Sequence, residues 1–490
     1  MVTTTGTRRA RSLRAPYTVS SCVLAILGSC GPLVHAETTF TPGVIGEAIY
    51  TDNIAQEPSG QERSEVLLHV APGFRLDSMS RRFRANVDYK LNAYMFASDS
   101  SQNQIVHGLK SNAEAEVISD WAFLDADASM GQVVRDPSQR VPTSNVINNG
   151  NLVDSTVWNV MPSLRHRFGG NNTVDLSYEF GQVHYHGGGD QTIGGPLDDV
   201  DVSTARFRFD HEATGPLGWW MEYRRKEGNY EEAEDFRADL ADGGFDYRIG
   251  SGFWLIGTGG SETDLTADQI SGGLDSGFWT AGFRVAPSVN QMLTLTTGHR
   301  YFGHTYDGSY EYTGRTLSAM ASYREETTTA AMASLDSARA PQTTRDTTVD
   351  PTLTPITSDV YISKTPRLSV TLKGRMNEIE FSAYSQQRTY IASDESERET
   401  TGSAAWRYRL GPRTTTRLGA SLSRYTFRDS DRVDRFRQYY FGVDRQLGRR
   451  THVDLTYRRY ERGVDSQDPT LRAFAYHENS LTLSAQFTMR

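Results

Sequence analysis

Phe83-Arg84-Ala85-Asn86-Val87-Asp88-Tyr89-Lys90-Leu91-Asn92-Ala93 is the stretch that decides the fold of this chain. Apolar residues occupy every second position from Phe83 to Ala93, and polar or charged residues occupy the positions between them. Side chains alternate between the two faces of a β-strand, so this pattern predicts a strand with one apolar face and one wet face.

The same alternation recurs to the end of the chain, in about twenty segments that are separated by turns. Long amphipathic strands of this kind are typical of a transmembrane β-barrel that faces lipid outside and water inside. An open sheet edge in lipid would leave backbone groups unpaired, so the sheet has to close on itself. The sequence therefore predicts an all-β fold, a single transmembrane antiparallel β-barrel of about 18–22 strands. Short and long connections alternate, which predicts short turns on the periplasmic side together with both termini.

The N-terminal segment predicts export from the cytoplasm. Four arginines precede a short apolar core around residues 23–27, and Val34-His35-Ala36 then offers a small residue for cleavage. This pattern predicts a signal peptide over 1–36, which leaves 37–490 as a barrel in the outer membrane of a Gram-negative bacterium. One alternative stays open, because Leu27-Gly28-Ser29-Cys30 resembles a lipoprotein box that would make Cys30 a lipidated N-terminus.

The composition excludes several classes of protein. The net charge of −9 disfavours nucleic acid as a partner. Both cysteines lie in the predicted signal peptide, so no disulfide is expected in the mature chain. No catalytic motif stands out, and His184, His186 and the acidic loop from Asp190 to Asp201 lack a recognised ligand spacing. We therefore predict no enzymatic activity, no catalytic or metal-binding residues and no cofactor.

The positions opposite the apolar residues are predicted to face the lumen. The candidates are Arg84, Asp88, Lys90, Asp125, Asp127, Glu179, Arg206, Arg208, Arg224, Arg248, Arg284, Arg407, Arg409 and Arg458. Every large barrel needs a polar interior, so these residues can simply form ion pairs in a solvated lumen. The functional interpretation is a charged filter or a polar track for a hydroxylated polymer.

Residues 324–358 interrupt the pattern. The segment is rich in Thr, Ala and Asp. The strands predicted before and after it, over 310–323 and 359–373, run in the same direction, and 303–309 is predicted as a loop. An up-and-down barrel needs one more crossing between them. Either a weak strand lies in 324–358, or the segment forms a lumen plug or a long loop at one rim.

Several structural motifs resemble one family. They are Tyr50-Thr51-Asp52-Asn53-Ile54, Ala71-Pro72-Gly73-Phe74, residues 88–94, residues 120–126 and Asp359-Val360-Tyr361-Ile362-Ser363-Lys364. On these motifs most of the mature chain resembles the outer-membrane β-barrel family associated with the PEP-CTERM and exosortase sorting system. The resemblance implies a role beside exopolysaccharide production, and it carries over no site residues.

These observations together predict a non-enzymatic barrel associated with export of exopolysaccharide or PEP-CTERM proteins to the cell surface. The expected partners are outer-membrane lipid and either exported polysaccharide or periplasmic export components. Two alternatives stay open, namely a general diffusion porin and a structural or anchoring barrel for surface proteins.

Overall fold

The computed structural model describes residues 37–142, 150–186, 197–265, 274–339, 355–428 and 431–489. In these ranges the chain forms one ten-residue α-helix, α1 (Ala330–Arg339), and twenty-two β-strands. The first eleven strands are β1 (Glu37–Thr51), β2 (Glu65–Met79), β3 (Phe83–Phe96), β4 (Gln104–Ile118), β5 (Ala122–Val134), β6 (Leu152–Phe168), β7 (Asn172–His186), β8 (Val200–His211), β9 (Leu217–Tyr230), β10 (Phe236–Arg248) and β11 (Phe253–Glu262). The other eleven are β12 (Ser276–Ser288), β13 (Gln291–Arg300), β14 (Gly303–Thr313), β15 (Leu317–Thr328), β16 (Tyr361–Lys373), β17 (Asn377–Tyr390), β18 (Ser396–Gly411), β19 (Thr414–Thr426), β20 (Val433–Gln446), β21 (Thr451–Asp465) and β22 (Tyr476–Thr488).

The sheet is closed. Each strand pairs antiparallel with the next, and β1 pairs with β22 from Gly43 opposite Thr488 to Thr51 opposite Ser480. Because every strand has two neighbours, no open edge remains. The predicted transmembrane-type antiparallel barrel is confirmed, with a strand count at the top of the predicted range.

The two faces of the sheet differ in the way that the alternation predicts. Large apolar side chains are exposed on the outward face, for example Leu68, Phe381, Leu418, Phe441 and Leu483. Acids, arginines and hydroxyl groups occupy the alternate positions, which face inward. None of the helices in the described ranges is long and apolar enough to cross a membrane.

The connections divide the barrel into two rims. One rim, which we call the short-turn rim, carries tight turns such as that at Gly169 and Gly170, both of which have positive φ. It also carries the start of β1 and the end of β22. The opposite rim carries the longer connections and is called the long-loop rim. Because odd-numbered strands run toward the long-loop rim, α1 begins there, directly after β15.

The missing crossing lies outside 324–358. Residues 303–309, predicted as a loop, form most of β14, and the predicted single strand 310–323 is divided between β14 and β15 by a turn at 314–316. A two-residue turn at Tyr301 and Phe302 joins β13 to β14, and Gly303 takes the positive φ that this turn requires. Gly308 weakens the alternation of β14, and a Cβ added at residue 308 would lie only 2.9 Å from Leu295 Cδ2 on β13.

Candidate functional site

The barrel interior holds the candidate functional residues. The pairing register places all fourteen predicted lumen residues on one face of the sheet, which is also the face that contacts α1. The structure brings Arg206, Arg208 and Arg224 together. It also brings Asp125, Asp127 and Glu179 close to Arg339 of α1.

The other candidates lie apart from these two groups. Asp88 pairs with Lys90 and with Arg75. Arg84 pairs with Glu114, Arg407 pairs with Glu378, and Arg458 lies within electrostatic range of Glu47. Among the described residues, Arg248, Arg284 and Arg409 form no ion pair.

Glu222 is the centre of the arginine cluster on β8 and β9. Its side chain is only 4% exposed, and its two carboxylate oxygens accept hydrogen bonds from three guanidinium groups. The distances are 2.9 Å from Arg206 Nη2, 3.1 Å from Arg208 Nη1 and 3.0 Å from Arg224 Nε. The alternation along β9 predicts that Glu222 faces the lumen together with Arg224, and the β8–β9 register places it opposite Arg208.

This cluster fixes hydrogen-bond donors on the lumen wall. Arg208 is held further by both oxygens of Asp210 and stacks over the Trp220 ring at 4.5 Å. Arg206 and Arg224 keep more than a third of their side chains exposed while they contact Glu222. Guanidinium groups that are held in this way present fixed donors to any solute that passes along the wall.

α1 folds from the long-loop rim into the barrel interior. Thr329 caps its N-terminus, where the Met332 N–H donates to Thr329 Oγ1 at 3.3 Å. The helix leaves the wall after β15 but packs on β5, β6, β7 and β8. Almost half of the strand ring separates β15 from β6, so α1 connects distant parts of the wall across the lumen.

An apolar cluster surrounds α1 inside the barrel, and we call it the mouth cluster. Its helix residues are Ala331, Met332, Leu335 and Ala338, which are almost fully buried. The rest come from distant parts of the ring and are Val157, Val183, Val200, Val202, Phe236, Leu265 and Val360. Gly181 on β7 permits the close approach, because a Cβ there would lie 2.8 Å from Leu335 Cδ2.

Polar contacts hold the far end of α1. Lys110 Nζ donates to the Ser337 carbonyl at 2.8 Å, and Arg339 forms an ion pair with Glu179. Burial lowers the pKa of Arg339, while the nearby carboxylates of Asp127 and Asp125 act in the opposite direction. Three of the predicted lumen acids therefore lie around the C-terminal end of the helix.

The described part of the connection between β5 and β6 also folds inward. Its residues 137–139 offer backbone carbonyls to the guanidinium of Arg462 on β21, and the Tyr476 hydroxyl donates to the Val141 carbonyl at 2.8 Å. Arg462 itself is fully buried and donates from Nε to Asp434 at 2.8 Å. A loop that leaves one part of the wall is thus attached to another part, several strands away.

Burial along the inner wall changes from one rim to the other. Near the long-loop rim, Arg388 is fully buried and donates from Nη1 to Glu397 at 2.9 Å, and the Tyr390 hydroxyl donates to the same oxygen. Near the short-turn rim, the side chains of Arg84 and Glu114 are each 67% exposed. The interior is therefore filled by side chains toward the long-loop rim and is wet toward the short-turn rim.

The structure divides the segment 324–358 into parts. Residues up to Thr328 belong to β15, α1 follows, and 340–354 lie outside the described residues. The composition of 324–358 did not predict this helix. Ala331, Leu335 and Ala338 recur at helical spacing, and this is the signal that could have found it.

The histidine and acidic-loop positions serve as structural contacts where they are described. His184 Nδ1 contacts the carboxylate of Asp199, and the carboxylate of Asp198 accepts hydrogen bonds from the N–H groups of residues 231–233. Asp190 lies outside the described residues. In the ranges that the structure covers, no group of three or more His, Cys, Asp or Glu is arranged to hold a metal ion.

Glu222→Gln is expected to make the lumen more selective for anions, because it removes the one carboxylate that three arginines share. The measurement is the reversal potential in a salt gradient across a planar bilayer, made with a barrel that lacks α1. Glu114→Gln is the matched control, since Glu114 faces the same lumen but is exposed and screened by water. Equal shifts in the two variants would contradict a special role for the arginine cluster.

Comparisons with known proteins find similar chains among the solved structures. No protein-family model matches the chain, and no curated protein matches it. Among solved structures, it is similar to the siderophore receptor PirA from Acinetobacter baumannii, with 7% identity, coverage of 94% of this chain and 81% of that chain, and a TM-score of 0.48. The siderophore receptor PirA from Pseudomonas aeruginosa is 8% identical, with coverage of 92% of this chain and 80% of that chain and a TM-score of 0.44. OmpT, an outer membrane protein of Vibrio cholerae, is 7% identical, with coverage of 94% of this chain and 100% of that chain and a TM-score of 0.30. At these values no role transfers to this chain, and its barrel fold rests on its own strand pairing.

Proposed function

We propose that this chain is a non-enzymatic β-barrel of the Gram-negative outer membrane that passes exported polysaccharide to the cell surface through a gated lumen. The observation that carries the proposal is the mouth cluster around α1, which fills the interior near the long-loop rim above a polar wall. The closed sheet with its apolar outward face supports the membrane location.

The inner wall supports a hydroxylated polymer as the solute. A glycan both donates and accepts hydrogen bonds, so a track for it needs donors and acceptors in succession. The wall supplies guanidinium donors at Arg206 and Arg224, and amide and carboxylate groups at Asn112 and Asp127. The resemblance to a family that acts beside exopolysaccharide production supports the same choice.

A non-catalytic role is supported by how the wall acids are used. Glu222 is held by three arginines, and Glu397 by Arg388 and Tyr390. Carboxylates held in this way stabilise the wall and its inward loops. An acid that transfers a proton in catalysis must instead be able to contact the reacting group of a substrate.

A general diffusion porin is the second candidate. Acids and arginines face each other across neighbouring strands near the short-turn rim, as with Arg84 and Glu114 or Arg407 and Glu378. Such mixed charge suits small polar solutes as well as a polymer.

Deleting the gene is expected to lower the mass of secreted polysaccharide, and the wild-type gene supplied in trans should restore it. The measurement is the dry weight of polymer per cell mass, together with the uptake rate of a small sugar. An unchanged polymer yield with slower sugar uptake would favour the porin and contradict the export role.

The location is tested separately by fractionating the cells and following the heat-modifiable gel mobility of the folded barrel.

A further inference from the structure

Five arginines form a basic patch on the outward face of the barrel near the long-loop rim. They are Arg398 on β18, Arg424 on β19, Arg435 and Arg437 on β20, and Arg459 on β21. All five are exposed, and the pairing register places them on the face opposite the lumen. The basic patch therefore points away from the polar interior that the proposed function uses.

The charge of the basic patch is only partly balanced. Glu461 pairs with Arg437 and Arg459, and Asp465 pairs with Arg435. Among the described residues, Arg424 forms no ion pair, and it lies directly opposite Arg435 in the β19–β20 ladder. Like charges placed directly opposite destabilise a sheet. Five arginines against two carboxylates leave a positive surface, which an anion would stabilise.

The basic patch lies at the edge of the apolar band. Toward the short-turn rim, the next outward-facing residue after Arg424 on β19 is Leu422, and the next after Arg437 on β20 is Tyr439. On β21, the next outward-facing residue after Arg459 in this direction is Tyr457. In a barrel whose apolar band lies in the bilayer, this level is that of the lipid headgroups.

A shallow groove of about 620 Å³ crosses the outward face beside the basic patch. On each of five neighbouring strands, β16 to β20, two outward residues line it, including Leu368, Ala383, Leu422 and Arg424. Small residues make its floor, and a Cβ added at Gly402 would meet nothing within 4 Å. The groove therefore joins an apolar floor to the basic patch.

We propose that this surface binds a phosphorylated, multiply acylated glycolipid of the outer leaflet, with its phosphates on the basic patch and an acyl chain in the groove. Clustered arginines at the membrane surface attract anionic headgroups, and guanidinium groups bind phosphate oxygens bidentately. The inference rests on the outer-membrane location proposed above. It is independent of what passes through the lumen.

The test uses the full barrel purified in detergent and titrated with diphosphoryl lipid A and with monophosphoryl lipid A, with bound lipid counted by native mass spectrometry. The wild-type barrel is expected to bind the diphosphoryl form more tightly by at least about tenfold. Arg424→Glu with Arg435→Glu should abolish this preference. The charge-matched control is Arg413→Glu with Arg445→Glu, at the short-turn rim of the same strands, and it should keep the preference.

A second pair of variants tests the groove without changing charge. Gly402→Phe fills the groove and should weaken binding of both lipids severalfold while the preference for the diphosphoryl form remains. Gly46→Phe is the control, because Gly46 also faces outward into open space but lies on β1. Heat-modifiable mobility verifies that each variant is folded.

Three outcomes would overturn the proposal. One is equal affinity of the wild-type barrel for the two lipids. Another is a preserved preference in the variant with Arg424→Glu and Arg435→Glu. The third is a wild-type barrel that dimerises and shows no lipid preference, while the variant with Arg424→Glu and Arg435→Glu is monomeric. That result would assign the basic patch to contact with a second copy of the chain. Because binding is measured in detergent, these results do not depend on the cell fractionation that tests the membrane location.

Discussion

Replacing Ala330–Arg339 with a glycine–serine linker is expected to raise single-channel conductance in planar bilayers severalfold. The helix carries four of the buried side chains of the mouth cluster, and it connects β15 to the wall at β5–β8 across the lumen. A barrel of this size leaves an aqueous channel when nothing fills it. Removing α1 should therefore open the lumen near the long-loop rim.

A point variant separates the packing of α1 from its presence. Leu335→Asp places a carboxylate in the apolar contact against Gly181 and should release the helix, which would give frequent openings to the larger conductance. Ser337→Asp introduces the same side chain at an exposed position of the same helix and should leave conductance at the wild-type level. An unaltered conductance in a correctly folded deletion would remove the gate and leave the segment as a tolerated insertion.

Asp434→Asn is expected to destabilise the barrel by about 3–5 kcal/mol. Asp434 is fully buried between two arginines, with Arg432 Nε at 2.9 Å from Oδ1 and Arg462 Nε at 2.8 Å from Oδ2. The change removes the carboxylate that both guanidinium groups share, and breaking a buried pair costs far more than breaking an exposed one. The measurement is the urea midpoint of the loss of heat-modifiable mobility in lipid vesicles.

Asp465→Asn is the matched control for this change. Asp465 ends the neighbouring strand and pairs with Arg435, but both side chains are more than half exposed. Its loss should cost at most about 1 kcal/mol. Arg462 also holds residues 137–139, so Asp434→Asn should in addition loosen the β5–β6 connection and add current noise in bilayers. Equal midpoints in the two variants would contradict a stabilising role for the buried pair.

The sequence was sufficient to predict the wall because a wall strand is defined by local alternation. The outward apolar positions and the inward charges follow from a period of two, and the register keeps that parity around the ring. A short glycine-rich strand, β14, was missed because Gly303 and Gly308 resemble loop residues. Their roles depend on a turn and on Leu295 of the neighbouring strand.

The interior contacts could not be predicted in the same way. The contact of Val141 with Tyr476 and that of Leu335 with Gly181 join segments that are distant in sequence and meet only after the ring closes. An apolar residue in a polar loop, such as Val141, gives no local sign of the surface that it will cover. The helical spacing in α1 was visible, but its partners on β5–β8 were not.

The pairing between β1 and β22 has a consequence for how the barrel assembles. This seam contains nine residue pairs, whereas the β1–β2 hairpin contains fifteen. Hairpins form between residues that are close in sequence, while the seam must bring Gly43 to Thr488, at the largest loop-closure entropy in the chain. We therefore expect the seam to form last, after the other strands have paired. Until that moment the growing sheet has two free edges, on β1 and β22, whose backbone groups only the closed ring pairs.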